Sequence, residues 1–253
     1  ARRGRVLAPL IHTDAIHVFY MLCHALGETP FASASPSTPD ALFISRATGL
    51  AALELGRELA AALPPACLAM NPIAVLEALA RTDDAWYCPF AFGYSNYARP
   101  RYAPHLVTSG EPVLWTSGAP LVTTLGGTGI AITQRCAHPE IAAKFAAFLA
   151  SPDIQAGLYF DAGGQPAHRA AWLDERVNQN SHDYFRRTLP ALDRAWLRPR
   201  YAGYLHFQDH GAYVIADAFK GTLTAATALD RLEALHRESR QLSPLPSASL
   251  SHP

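Results

Sequence analysis

Histidines, carboxylates and aromatic rings carry the potential chemistry of this chain, and their spacing limits what that chemistry is. His12, Asp14 and His17 lie close together near the start. A helix beginning near Ala15 puts His17 and His24 two turns apart, too far for a compact metal site. No His-Glu-x-x-His or Cys-x-x-Cys motif occurs, so neither a metal nor a cofactor is expected. Ser95, in Gly93-Tyr94-Ser95-Asn96, lacks the second glycine of a nucleophile elbow. Gly126-Gly127-Thr128-Gly129 lacks both the Lys-Ser/Thr ending of a phosphate loop and the third glycine of a dinucleotide fingerprint. With no motif for bond chemistry, the chain is expected not to be an enzyme. An α/β hydrolase or transferase of unknown substrate stands as the alternative.

Binding chemistry is better supplied. The run from Phe90 to Tyr97 holds four aromatic residues broken by Gly93 and follows the β-prone Ala85–Phe90, a position where α/β folds place ligands. Rings such as Phe92 and Tyr94 stack on sugar rings, and tyrosine hydroxyls bond to ring hydroxyls. The same rings also suit a core.

Composition excludes other partners. The chain has 253 residues, 49% of them hydrophobic, and equal numbers of basic and acidic side chains. A formal net charge of zero gives no global field for nucleic acid or anionic lipid. No apolar run approaches the roughly 20 residues of a membrane span. The N-terminus lacks the apolar stretch of a signal peptide and an initiating Met, as a processed or partial product would. Cys23, Cys67, Cys88 and Cys136 are widely spaced, and buried free thiols are the simpler reading, one disulfide the alternative.

The elements that must position these residues alternate short apolar strands with amphipathic helices. After a strand-like Arg5–Leu10, helices are predicted over Ala15–Leu26, Asp40–Leu63 with Asp40 as cap, and from Asn71-Pro72. Phe31–Pro39 is a Ser/Pro-rich loop. Pro120–Thr133 holds two β-prone pieces. Two helices follow: one opens at Pro139 with Ile141, Phe145, Phe148 and Leu149 on one face, and the other starts at Ser151-Pro152-Asp153. Residues 170–242 are mostly helical, interrupted by Pro190, Pro199 and Gly221, and end in a helix over Thr222–Leu242. The tail from Ser243 to Pro253 is expected to be disordered.

Three stretches in order resemble one known family: Gly126-Gly127-Thr128-Gly129-Ile130-Ala131-Ile132, then His138 to Gln155, with its Ala- and Phe-rich helix and Ser151-Pro152-Asp153-Ile154-Gln155 ending, then Gly163-Gly164-Gln165-Pro166-Ala167-His168-Arg169. They are similar to the solute-binding proteins of ABC importers related to maltose-binding protein. The resemblance extends over most of the chain, Asp83–Pro89 matching a strand entering the cleft and Gly221 with Ala228-Leu229-Asp230 matching the closing helix.

It implies an α/β, type II periplasmic-binding-protein-like fold, with a helix-rich second lobe and a partial first lobe. Residues 1–123 would form an α/β portion of the second lobe, 124–170 a crossover returning to the first lobe, and 171–242 the helical remainder of the second. The family's secretion signal and N-terminal lobe have no counterpart in this sequence, and the crossover is expected to expose the apolar face that packs on that lobe. The implied function is a monomeric extracytoplasmic receptor, periplasmic or lipid-anchored, that hands a sugar or related polar solute to an ABC permease.

Positions matching the family's cleft segments are His12, Asp14 and His17, Phe92 and Tyr94, Gly126 and Gly127, and Gln208 and Asp209 within His206-Phe207-Gln208-Asp209. Phe92 and Tyr94 would stack, while Asp14, Gln208 and Asp209 would exchange hydrogen bonds with hydroxyls. Gly126 and Gly127 would admit backbone amides close to the solute. Asp14 and Asp209 equally suit helix caps.

Overall fold

The computed structural model describes residues 4–32 and 42–242. Its centre is α1 (His12–Ala25), in which Ala15, Ile16, Phe19, Tyr20 and Cys23 are wholly buried, so that nearly the whole helix surface is apolar and enclosed. An amphipathic helix shows one apolar stripe; one hydrophobic all round belongs inside.

Two long helices pack against it and a third closes over those two. α2 (Arg46–Ala62) starts at Ser45, whose hydroxyl accepts a hydrogen bond from Thr48 N, so the cap is Ser45 rather than the predicted Asp40, which lies outside the described residues. α9 (Tyr204–Lys220) packs against α1 and α2, and α10 (Ala225–Gln241) closes over α9. α9 stops at Gly221, whose φ of +78° suits a glycine, and Thr224 then caps α10 by accepting from Thr227 N. Small residues set the spacing: Gly56 of α2 lies against the buried ring of Phe219 on α9.

One edge of this bundle is built from α3 (Pro72–Arg81), capped by Asn71 accepting from Ala74 N at 2.8 Å, as its Asn-Pro start predicts. The opening segment runs extended between two neighbours. Leu7 N donates to Tyr87 O, and three residues on, with the opposite orientation, Leu10 N donates to Cys67 O. The predicted α/β pattern is therefore met only in part. Among the described residues extended segments pair in isolated bridges, Val6 with Tyr87, Leu114 with Pro120 and Thr124 with Trp196, and no ladder forms.

A second, smaller apolar cluster joins Ala98, Phe160, Trp172, Val177, Tyr184 and Phe185. It is built by α5 (Pro152–Ile154) with the widened turn Gln155–Tyr159, α6 (Arg169–Leu173), α7 (Glu175–Gln179) and α8 (Tyr184–Asp193). Pro190, expected to interrupt a helix, lies inside α8. Arg99 ties the cluster together by donating to Phe160 O and Gly164 O at 2.6 and 2.8 Å while stacking on the Phe160 ring.

Packed against α5 and the widened turn, α4 (Pro139–Ala150) has no buried residue. Ile141, Phe145 and Phe148 form its apolar face at 66%, 57% and 47% exposure. Cys23, Cys67, Cys88 and Cys136 are all free thiols. No helix among the described residues is long and apolar enough to cross a membrane. The predicted tail, Ser243–Pro253, and most of the Ser/Pro loop lie outside the described residues.

Candidate functional site

The bridge between Thr124 and Trp196 organises the site. Trp196 N donates to Thr123 O and Leu125 N donates to Trp196 O, each at 2.8 Å, so the two segments run parallel past α1. Trp196 anchors its strand on the edges of Tyr20 and His24 of that helix. From α1, His17 places its Nδ1 3.3 Å from Thr124 Oγ1.

The ring of His17 also meets the Phe92 ring edge-on at 5.2 Å between centroids. Phe92 in turn lies on the backbone of Gly126, so close that a Cβ there would stand 2.8 Å from its Cε1. Gly126 thus gives up its backbone face to a ring, whereas Gly127 has open space around it. Beyond Trp196, Arg198 donates to Gln208 Oε1 on α9 at 2.6 Å. Burial, joined by the Arg198 charge, pushes the His17 imidazole down to about 4, so it is neutral at pH 7.

At the first turn of α1 His12 stacks on Tyr213 of α9, with centroids 4.1 Å apart and planes within 13°. Tyr213 itself is exposed. The structure therefore joins His17, Phe92 and Gly126 directly, sets Gln208 beside them through Arg198, and gives His12 a separate stack.

Asp14, expected to meet a solute, is buried in the first turn of α1 with Thr13 Oγ1 at 3.5 Å, and burial raises its carboxyl to about 6. Its carboxyl faces protein rather than an open surface. Tyr94 is exposed beside Gly93, which presses on the Tyr184 hydroxyl, and no hydrogen bond or ring contact joins it to His17 or Phe92. Asp209 is exposed within α9, well past the Gly203 cap, and so does not start the helix.

Thr124, Arg198 and Tyr213 were not picked out from sequence. Arg198 sits in Leu197-Arg198-Pro199-Arg200, which reads as a linker. Tyr213 offered one signal, since it lies one helical turn beyond Asp209.

His12, His17, Phe92 and Gln208 are part-exposed, and Gly126 and Gly127 are exposed. Grooves of about 480 Å³, lined by Met21, Leu55, Phe90 and Trp115 among others, and of about 250 Å³, beside Phe31 and Trp196, lie elsewhere, and neither is lined by His12, His17, Phe92 or Gln208. No group of three metal-binding side chains assembles among the described residues.

No protein-family model and no curated protein matches the sequence. Solved structures do match in three dimensions. The maltose-bound T. maritima MalE3 superposes with a TM-score of 0.73 at 18% identity over 92% of this chain. A maltose/maltodextrin-binding domain, MalE from Bdellovibrio bacteriovorus bound to maltotriose, gives 0.65 at 15% identity over 93%. The chain spans 60% of the length of each. It has a helix-rich version of the MalE-like solute-binding fold.

Proposed function

We propose that this chain is the greater part of a solute-binding receptor of an ABC importer, taking a sugar or related polar solute on the face around His17, Phe92 and Gln208. The observation that carries the reading is the joining of α1, the Phe92 loop, the Thr124–Trp196 bridge and α9 through part-exposed side chains, in a fold whose neighbours hold maltose and maltotriose. A half-site open to one side is what a clamshell needs before its other lobe closes. On this reading residues 1–123 and 171–242 form one lobe, and 124–170 cross to the other.

The exposed apolar face of α4 supports a second lobe, because rings at 57% and 47% exposure on a helix with no buried residue are costly to leave in water. Closure would exclude water and present a new surface to a membrane permease, a cycle of binding and release without bond chemistry. The receptor would work as a monomer on the outer side of the membrane.

Calorimetry of the full-length protein against neutral and acidic sugars, polyamines and iron chelates tests this. Saturable binding of a sugar is expected. Tight binding of a polyamine or an iron chelate, with none of any sugar, would overturn it.

A further inference from the structure

Arg198 is the charge that the candidate site leaves unanswered. Arg194, four residues before it, holds Glu111. Arg198 is half-buried, and its acceptor is the neutral amide oxygen of Gln208 at 2.6 Å. No carboxylate of the described residues stands within ion-pair distance of it. The nearby acids are otherwise disposed, Asp14 being buried on Thr13 and Asp209 exposed on α9.

Geometry places this cation at the solute face. Arg198 follows Trp196 by two residues; Trp196 is bonded to Thr123 and Leu125, and Thr124 between them touches His17, whose ring meets Phe92. Its charge reaches His17, which is itself neutral at pH 7, so Arg198 supplies the charge there. Gln208 engages one amino nitrogen of the guanidinium and fixes its plane. A planar fork with five donors, one of them so engaged, still has donors for the two oxygens of a carboxylate or phosphate. A partly desolvated guanidinium whose acceptor is only an amide favours an anionic ligand over a neutral one.

We infer that the solute carries an anionic group, a carboxylate or a phosphate on a sugar, and that Arg198, held by Gln208, grips it beside the Phe92 ring. The inference rests on the receptor reading above and adds the substrate class. The rival is a carboxylate brought to Arg198 by the other lobe on closure, which would leave the solute neutral.

The two are separated by calorimetry of the full-length protein with matched sets of neutral sugars, their uronates and their phosphates, from monosaccharide to trisaccharide. At least one acidic sugar is expected to bind tenfold or more tighter than its neutral parent. That preference should vanish in R198Q and persist in R198K, both checked for an unchanged melting temperature. Preference for the uronate identifies a carboxylate, and preference for the ester a phosphate. Neutral sugars binding as tightly as both acidic forms, or R198Q keeping the preference, would overturn the inference and leave the sugar-receptor reading standing. Absence of any sugar binding beside tight binding of a polyamine or iron chelate would overturn both.

Discussion

The ring of Phe92 rests on the backbone of Gly126, with no room between them for a side chain. The contact holds the aromatic loop against the Thr124 segment, and the same ring meets His17 edge-on. Replacing Gly126 by alanine puts a methyl 2.8 Å from Phe92 Cε1, so the ring must move and its edge contact with His17 opens. In the full-length protein G126A should weaken solute binding by about tenfold, or ~1.4 kcal/mol, while the equivalent change at Gly127, which has open space around it, should have little effect. Calorimetry on the pair decides it: equal losses at both positions would remove Phe92 from the site.

Gly56 has a purely structural version of the same role. A Cβ there would lie 1.9 Å from Cε1 of Phe219, a ring with no space to retreat because it is buried between α2 and α9. G56A should therefore destabilise the fold by about 3 kcal/mol. G49A should cost less, since its methyl meets the tip of Leu229 at 2.8 Å, the end of a flexible side chain. Urea unfolding of the two variants gives the order directly.

How much of this was legible in the sequence depends on the range of the interaction. The cap written in neighbouring residues, Asn71-Pro72 for α3, was readable because the hydrogen bond spans three positions, whereas α10 begins three residues later than predicted, at Ala225 behind the Thr224 cap. The absence of a ladder was not readable. β-branched and aromatic runs give extended backbone, but Pro9, Pro89, Pro112 and Pro120 remove donors along these same segments, and pairing shrinks to single bridges. At the site, His17, Phe92 and Gly126 carried local signals of residue type. The Arg198–Gln208 bond crosses Gly203, whose φ of +90° turns the chain into α9, and no pattern in Leu197-Arg198-Pro199-Arg200 announces that turn. Asp14 was misplaced because a carboxylate near two histidines looks like a site in one dimension, whereas helical geometry turned it inward.

A part-buried and a buried histidine, His17 and His236, make stability depend on pH. Burial pushes both His17 and His236 down to about 4, with nearby arginines adding to the effect. His236 sits among Phe31, Phe43 and Phe207, and its Nε2 is buried without a partner. Their folded values lie below the unfolded value of about 6.5, so the unfolded chain takes up protons first. Stability should be full above that value, fall as pH drops from about 6.5 towards 4, and level off below, by up to about 3 kcal/mol for each histidine. Asp14 acts in the opposite sense. Its folded value of about 6 lies above the unfolded one, so it costs stability above pH 6 and nothing below pH 4. D14N should then be more stable than the parent at pH 7.5 and indistinguishable from it at pH 3.5. Melting curves across this range test the sign; a variant less stable at neutral pH would show that the carboxylate is favourably bonded.

The apolar face of α4 gives the sharpest test of the two-lobe reading. Phe145 and Phe148 stack on each other at 6.3 Å between centroids, and both stand largely in solvent on a helix with no buried residue. If nothing covered them, changing both to glutamate would replace apolar surface by charge on an exposed helix and alter stability by no more than about 0.5 kcal/mol. If a lobe packs there, the same change buries two carboxylates against an apolar surface, and the loss of two ring contacts alone is worth about 2 kcal/mol each. The double variant F145E/F148E should accordingly lower the melting temperature of the full-length protein sharply. It should leave that of residues 1–253 produced alone nearly unchanged. A full-length protein indifferent to the double variant would mean that α4 faces water in the receptor as well, and the assignment of 124–170 to the other lobe would fall.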